Sequence, residues 1–241
     1  MKKKILIGLL ISMLYSSSLY ATTPITLSSY KESTPLEQIK IKEERIKMDN
    51  KLIKIDLKIP KISGMKNKKL QNRLNRTFKN KIVNFSNNLK NIAKKHNKDA
   101  QDYEFPIYPY QSSTDYQVYY NKDNILSLTI TYYEYTGGAH GNYFKEAFNI
   151  NLHTGKELSL GDLLGKNKDY QKTINDKIKN KIRKHQELYF ADDTHNLKIL
   201  SKNSNFYLQE NNLVIYFQVY EIAPYSTGTP EFKIPLKLFK F

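Results

Sequence analysis

Two glutamates end apolar runs in this chain, and each runs into a polar turn that carries glycine. Glu134 lies in Tyr133-Glu134-Tyr135-Thr136-Gly137-Gly138-Ala139-His140-Gly141, and Glu221 in Tyr220-Glu221-Ile222-Ala223-Pro224-Tyr225-Ser226-Thr227-Gly228. Leu126, Leu128, Ile130 and Tyr132 alternate up to Glu134, and Leu213, Ile215, Phe217 and Val219 alternate up to Glu221. Strand alternation therefore puts each carboxylate on the apolar face of its own strand. Two carboxylates of unlike proton affinity at one sheet edge are the equipment of an acid–base glycan hydrolase. Glutamate is equally an ordinary way to end a buried strand. No GxSxG or SxxK nucleophile motif is present. His96, His140, His153, His185 and His195 show no HxH or HExxH spacing, and cysteine is absent. Neither a metal nor a cofactor is implied.

Binding chemistry is better provided. The chain has 19 tyrosines and no tryptophan, with tyrosines clustered at 132–135 and 216–225. A phenol offers an apolar ring and a hydroxyl, which suits stacking on carbohydrate or on a protein partner. Tyrosine is also a good strand former. The glycines around His140 either let backbone approach a ligand or make a tight turn whose histidine ties to a nearby carbonyl, and the second reading is preferred. The candidate ligand-binding residues are Tyr135, His140, Tyr220, Glu221 and Tyr225. Binding is expected rather than catalysis, with Glu134 and Glu221 as the alternative catalytic pair.

Charge points to a second surface. Between Lys40 and Lys98 stand 19 Lys and Arg against 4 Asp and Glu, a net of +15, whereas Asp99 to Phe241 nets −1. An anionic partner for the first part follows from that asymmetry. The expected polyanion contacts are Lys68, Lys69, Arg73 and Arg76. Abundant Lys, Asn and Ile also fit simple compositional bias.

The elements that would position these groups can be read from periodicity. Leu70, Leu74, Phe78, Ile82, Phe85, Leu89 and Ile92 form one apolar stripe, which predicts a long helix over 66–96. Alternation predicts two strands within Ile39–Ile59, turning near Met48-Asp49-Asn50. An extended connection is predicted at 103–110, then strands over 116–120, 125–135 and 143–152. Ser159 and Asp162 have capping-box spacing for a short helix, and Tyr170, Ile174, Ile178 and Ile182 predict a second amphipathic helix. Strands follow at 206–208, 213–222 and 232–238, with Asn211-Asn212 as a hairpin turn. The class is α+β, with mainly antiparallel sheets packed against two long amphipathic helices in a two-part architecture.

The N-terminus has the layout of a secretory signal peptide: Lys2 to Lys4, an apolar run from Ile5 to Leu14, then serines leading to Ala21. Residues 1–21 are read as this signal and 22–39 as a flexible leader. If cleavage fails, the same stretch would serve as an anchor. The mature chain of about 220 residues is long enough to build a core without disulfides.

The GGAHG turn, Thr154-Gly155-Lys156-Glu157-Leu158 with Leu160-Gly161-Asp162-Leu163-Leu164, and Tyr220 to Gly228 together resemble the RsiV-like domain. The strand–Pro60–Gly64–helix segment is similar to the domain preceding it in RsiV and in PdaC-type peptidoglycan deacetylases. The resemblance spans roughly 40–241. It implies a basic N-terminal α+β domain over 40–105 and an RsiV-like domain over 106–241. It also implies an exported module that binds an anionic cell-wall polymer or a wall-active protein such as lysozyme. The sigma-binding segment, the membrane span and the deacetylase domain of those families are not expected in this chain. A nucleic-acid partner is disfavoured by the export signal.

Overall fold

The computed structural model describes residues 39–102, 108–165, 167, 169–190 and 204–239. The expectations for the signal peptide, nearly all of the leader, positions 103–107 and His195 lie outside these residues. Within them, β1 (Lys40–Asp49) and β2 (Ile53–Ser63) form a hairpin, and α1 (Lys68–Asp102) follows. Asn50 makes the hairpin turn by accepting hydrogen bonds from the Leu52 and Ile53 amides, both at 2.9 Å. Its short carboxamide mimics a backbone turn. Asn67 begins α1 by accepting from the Leu70 amide at 3.0 Å, as a cap does.

β3 (Tyr110–Lys122), β4 (Ile125–Tyr135) and β5 (Asn142–Asn151) complete a five-stranded sheet in the order β1-β2-β3-β4-β5. Its pairings are antiparallel except β2 with β3, which run parallel because α1 carries the chain over between them. Strands from both sides of the expected boundary at 105/106 thus share one sheet. The chain then forms the short α2 (Leu160–Leu164), α3 (Tyr170–Lys184), β6 (Phe206–Gln209), β7 (Asn212–Tyr216) and β8 (Glu231–Pro235). The last three make an antiparallel sheet ordered β6-β7-β8. The reading of α+β, with mainly antiparallel sheets, holds.

The layers run α1, five-stranded sheet, three-stranded sheet, α3. Ile53, Ile55, Leu57 and Ile59 of β2 and Leu126, Leu128, Ile130 and Tyr132 of β4 pack with Leu70, Leu74, Phe78 and Ile82 of α1. Tyr207, Val214 and Tyr216 pack on Tyr119 and Ala147 between the sheets. Ile174, Ile178 and Ile182 of α3 join Leu213, Ile215 and Phe232 on the outer side of the smaller sheet. Two groups of polar side chains are paired between the sheets. Ser127 Oγ donates to Asn149 Oδ1 at 2.7 Å and accepts from the Leu208 amide at 2.9 Å. Lys145 on β5 pairs with Glu231 on β8 at 2.6 Å, and Tyr207 donates to the same carboxylate at 3.1 Å.

Several boundaries moved for identifiable reasons. Ile92 is 47% exposed and Ala93 takes its place in the core, so the stripe drifts by one residue near the end of α1. The strand expected over 213–222 ends at Tyr216. The Gln218 side chain accepts from the Lys145 amide at 2.9 Å and donates to the Lys145 carbonyl at 2.7 Å, drawing the chain out of the ladder. The strand expected over 232–238 ends at Pro235, whose missing N–H stops the ladder, and a 3-10 turn over Leu236–Leu238 follows. The hairpin turn is Glu210-Asn211, with Glu210 at φ 51° and Asn212 already paired to Gln209.

Candidate ligand-binding site

The two polar turns meet. The His140 ring stacks on Tyr225 with centroids 4.3 Å apart and planes 22° from parallel. Tyr225 donates to the Gly141 carbonyl at 2.9 Å, and His140 Nδ1 lies 2.8 Å from the same oxygen. The histidine therefore does tie its own loop, as the turn reading had it. Tyr143 meets Tyr225 edge-on at 5.8 Å, and Tyr220 meets it at 5.6 Å. Tyr135 donates to the Gly138 carbonyl at 2.9 Å, bracing the glycine turn from the strand side.

Local conformations make this convergence possible. Gly137 and Gly138 have φ of 104° and 97°, in a region that side-chain-bearing residues rarely adopt. Gly141 is buried, and a Cβ there would lie 2.3 Å from the Tyr133 hydroxyl, so the tyrosine uses the space that glycine leaves. Tyr220 adopts φ 65°, which is strained for an aromatic residue and turns its ring toward Tyr225. Partial burial, then the nearby phenols of Tyr143, Tyr133 and Tyr220, raise the Tyr225 hydroxyl above its ordinary value. It remains a neutral donor at physiological pH.

The glutamates occupy different settings. Glu134 shares the face of Leu128, Ile130 and Tyr132, which pack toward α1. It lies in register with Ser112 and Asn142. Tyr133 and Tyr135 point to the opposite face. Glu221 accepts from the Gln218 amide at 2.7 Å and closes the turn that follows β7. Of the sequence candidates, the structure brings together Tyr135, His140, Tyr220 and Tyr225, with Glu221 in the supporting turn. Sequence reasoning missed Tyr133, Tyr143 and the Gln218 clamp. Tyr143 follows Gly141 by two residues, a proximity that was available as a signal.

Lys68, Lys69, Arg73 and Arg76 are exposed on α1. Arg73 also reaches the Thr154 and Gly155 carbonyls at 3.4 and 3.5 Å, so it ties the helix to a turn besides offering charge. Among the described residues, no group of three or more His, Cys, Asp or Glu is placed to hold a metal ion. Nor is any helix among them long and apolar enough to cross a membrane.

Comparison with known proteins agrees with this architecture. Residues 46–143 match the model of the family described as "Deacetylase PdaC", and residues 161–237 match "Protein of unknown function (DUF3298)". The peptidoglycan-N-acetylmuramic acid deacetylase PdaC of Bacillus subtilis (strain 168) is 22% identical over 178 residues, which are 73% of this chain and 36% of that protein. The chain therefore aligns with little more than a third of that protein's length. A DUF3298 family structure from Bacteroides fragilis NCTC 9343 superposes with a TM-score of 0.64 at 20% identity, covering 84% of this chain and 92% of that one. Another from Pseudomonas aeruginosa PAO1 gives 0.53 at 18% identity, covering 86% and 93%. These likenesses establish the fold. The first part of the chain is thus similar to the PdaC model and the second to the DUF3298 model.

Proposed function

We propose that this protein is an exported, non-catalytic binding module of the cell envelope, and that the cluster joining the two polar turns captures a cell-wall polymer. The carrying observation is the stack of His140 on Tyr225, with Tyr143 and Tyr220 against the same ring. Three rings from the two distant turns and that of Tyr143 on β5 make a partly exposed aromatic surface with hydroxyl and imidazole groups at its edge. Such a surface suits a sugar ring, which presents an apolar face and a polar rim. The match of residues 46–143 to the PdaC model supports the envelope setting, as does a relative named for acting on peptidoglycan. The hydrolase alternative gains nothing from Glu221, whose carboxylate is engaged by a backbone amide. The exposed cations of α1 add a charge-driven component toward anionic wall polymers, which salt screens over a Debye length of about 8 Å at physiological strength.

Retention of the full mature chain on purified wall sacculi tests this reading. Tyr225→Ala and His140→Ala are expected to lower retention at high salt, where the α1 component is suppressed. Binding by the intact chain that ignores both substitutions would overturn the assigned surface. Binding to lysozyme, with none to sacculi, would make the ligand a protein. Glycan cleavage abolished by Glu134→Gln or Glu221→Gln would make the module an enzyme.

A further inference from the structure

The larger sheet has an open half. β6 packs against β3, β4 and β5 near Tyr119, Ser127 and Asn149, and among the described residues the other end of the same face is uncovered, with Lys47, Asp49, Lys54 and Gln111 exposed. Strand register aligns two side-chain rows across that open half. One row is Lys47, Asp56, Ser113, Tyr133 and Tyr143, each paired directly with the next. The adjacent row is Asp49, Lys54, Gln111 and Tyr135. Directly paired residues share a face, and rows two residues apart along a strand stand about 7 Å from each other. The backbone of Met48, Ile55 and Ser112 lies between them. At the β1–β3 end this trough opens into a cleft of about 370 Å³ lined by Lys47, Asp56 and Ser113 on one side and Asp49, Lys54 and Gln111 on the other. That volume is at the small end of ligand pockets. At the β4–β5 end Tyr133 and Tyr135 lead into the His140–Tyr225 stack.

The chemistry of the trough selects its occupant. Lys47 and Asp56, and Lys54 and Asp49, stand 4.0 Å apart, so the cleft's charges balance internally. Asp56 is further held by Arg45 at 2.6 and 2.7 Å. A polyanion would have to compete with these carboxylates. A neutral ligand rich in hydroxyl and amide groups finds donors and acceptors along both walls and aromatic faces at one end. Four interstrand steps of about 4.8 Å make the trough about 19 Å long, too long for a single sugar to fill.

We propose that an uncharged stretch of linear polysaccharide lies in this trough, perpendicular to the strands, from the Lys47–Asp56 cleft to the His140–Tyr225 stack. The inference rests on the reading of that stack as the binding surface, and adds the ligand's class, path and length. Calorimetry on the intact chain with β-1,4-linked N-acetylglucosamine dimer and tetramer tests it. The tetramer is expected to bind at least tenfold more tightly than the dimer. Ser113→Trp, which fills the middle of the trough, is expected to reduce tetramer affinity to the dimer's while leaving the dimer unaffected. Lys47→Ala with Gln111→Ala, which alters only exposed side chains, is expected to lower tetramer affinity at least fivefold. Equal affinities for dimer and tetramer in the unaltered protein would overturn the extended path. So would tetramer binding insensitive to both variants, or no oligosaccharide binding while sacculi are still retained. Loss of sacculus retention as well would instead strike the functional reading on which the inference rests.

Discussion

At the scale of single residues, the site depends on one ring and one missing methyl group. Tyr225 joins the turns by stacking on His140 and by donating to the Gly141 carbonyl. Tyr225→Ala is expected to weaken capture of wall polymer about tenfold to thirtyfold, in the range of a lost aromatic anchor. Tyr225→Phe keeps the stack and is expected to cost less, so a binding isotherm for each variant separates ring from hydroxyl. Asp56 offers a test by pH. Hydrogen bonding from Arg45 holds its carboxyl below the ordinary value. A depressed carboxylate contributes stability fully above its unfolded value near 4 and loses it as pH falls through the folded value. Asp56→Asn is therefore expected to lower stability at neutral pH and to flatten the acid limb of urea unfolding below about pH 4. An unchanged slope there would mean the pair contributes nothing.

At the scale of elements, α1 decides whether the larger sheet is covered. Phe78 is fully buried and meets Phe148 edge-on at 5.2 Å. Phe78→Ala is expected to destabilise by about 3–5 kcal/mol, the range for truncating a core aromatic residue. Ile92 belongs to the same periodic stripe in sequence yet is 47% exposed, so Ile92→Ala is expected to cost about 0.5 kcal/mol or less. Denaturant unfolding of the two variants measures the contrast. Similar losses would place Ile92 in the core after all. Asn75 fastens this helix to β2, accepting from the Ile62 amide at 2.7 Å and donating to its carbonyl at 2.9 Å.

At the scale of the whole molecule, the two sequence halves share one sheet and one core, so cutting at 105/106 is expected to unfold the second. β3 pairs with β2, and the apolar face of β4 rests on α1. A fragment of 106–241 loses both and exposes Leu126, Leu128, Ile130 and Tyr132. It is expected to lack a cooperative thermal transition, whereas residues 39–241 should show one; circular dichroism on both would decide. A well-folded fragment would mean that the three-stranded sheet with α2 and α3 suffices for its own core.

Much of this was legible in the residues. The stripe from Leu70 to Leu89, the alternation of β2 and β4, the Ser159–Asp162 capping box and the isoleucine spacing of α3 are local patterns, and burial of one face enforces them whatever surrounds the element. The likeness of the two polar turns was also visible, since glycine and tyrosine positions survive as text. Local pattern did not reveal that β7 stops at Tyr216, because Gln218 is captured by a strand 73 positions away in sequence. Alternation set Glu134 and Tyr133 on opposite faces of β4, but it could not tell which face would carry the binding surface, since both are buried along the first part of the strand. The trough was hidden for the same reason: Lys47, Asp56, Ser113, Tyr133 and Tyr143 are scattered along the chain. Local sequence determined which elements form, because each must bury its own apolar face. Pairing between distant strands decided which side chains share a surface, because register is set by contacts no single segment contains.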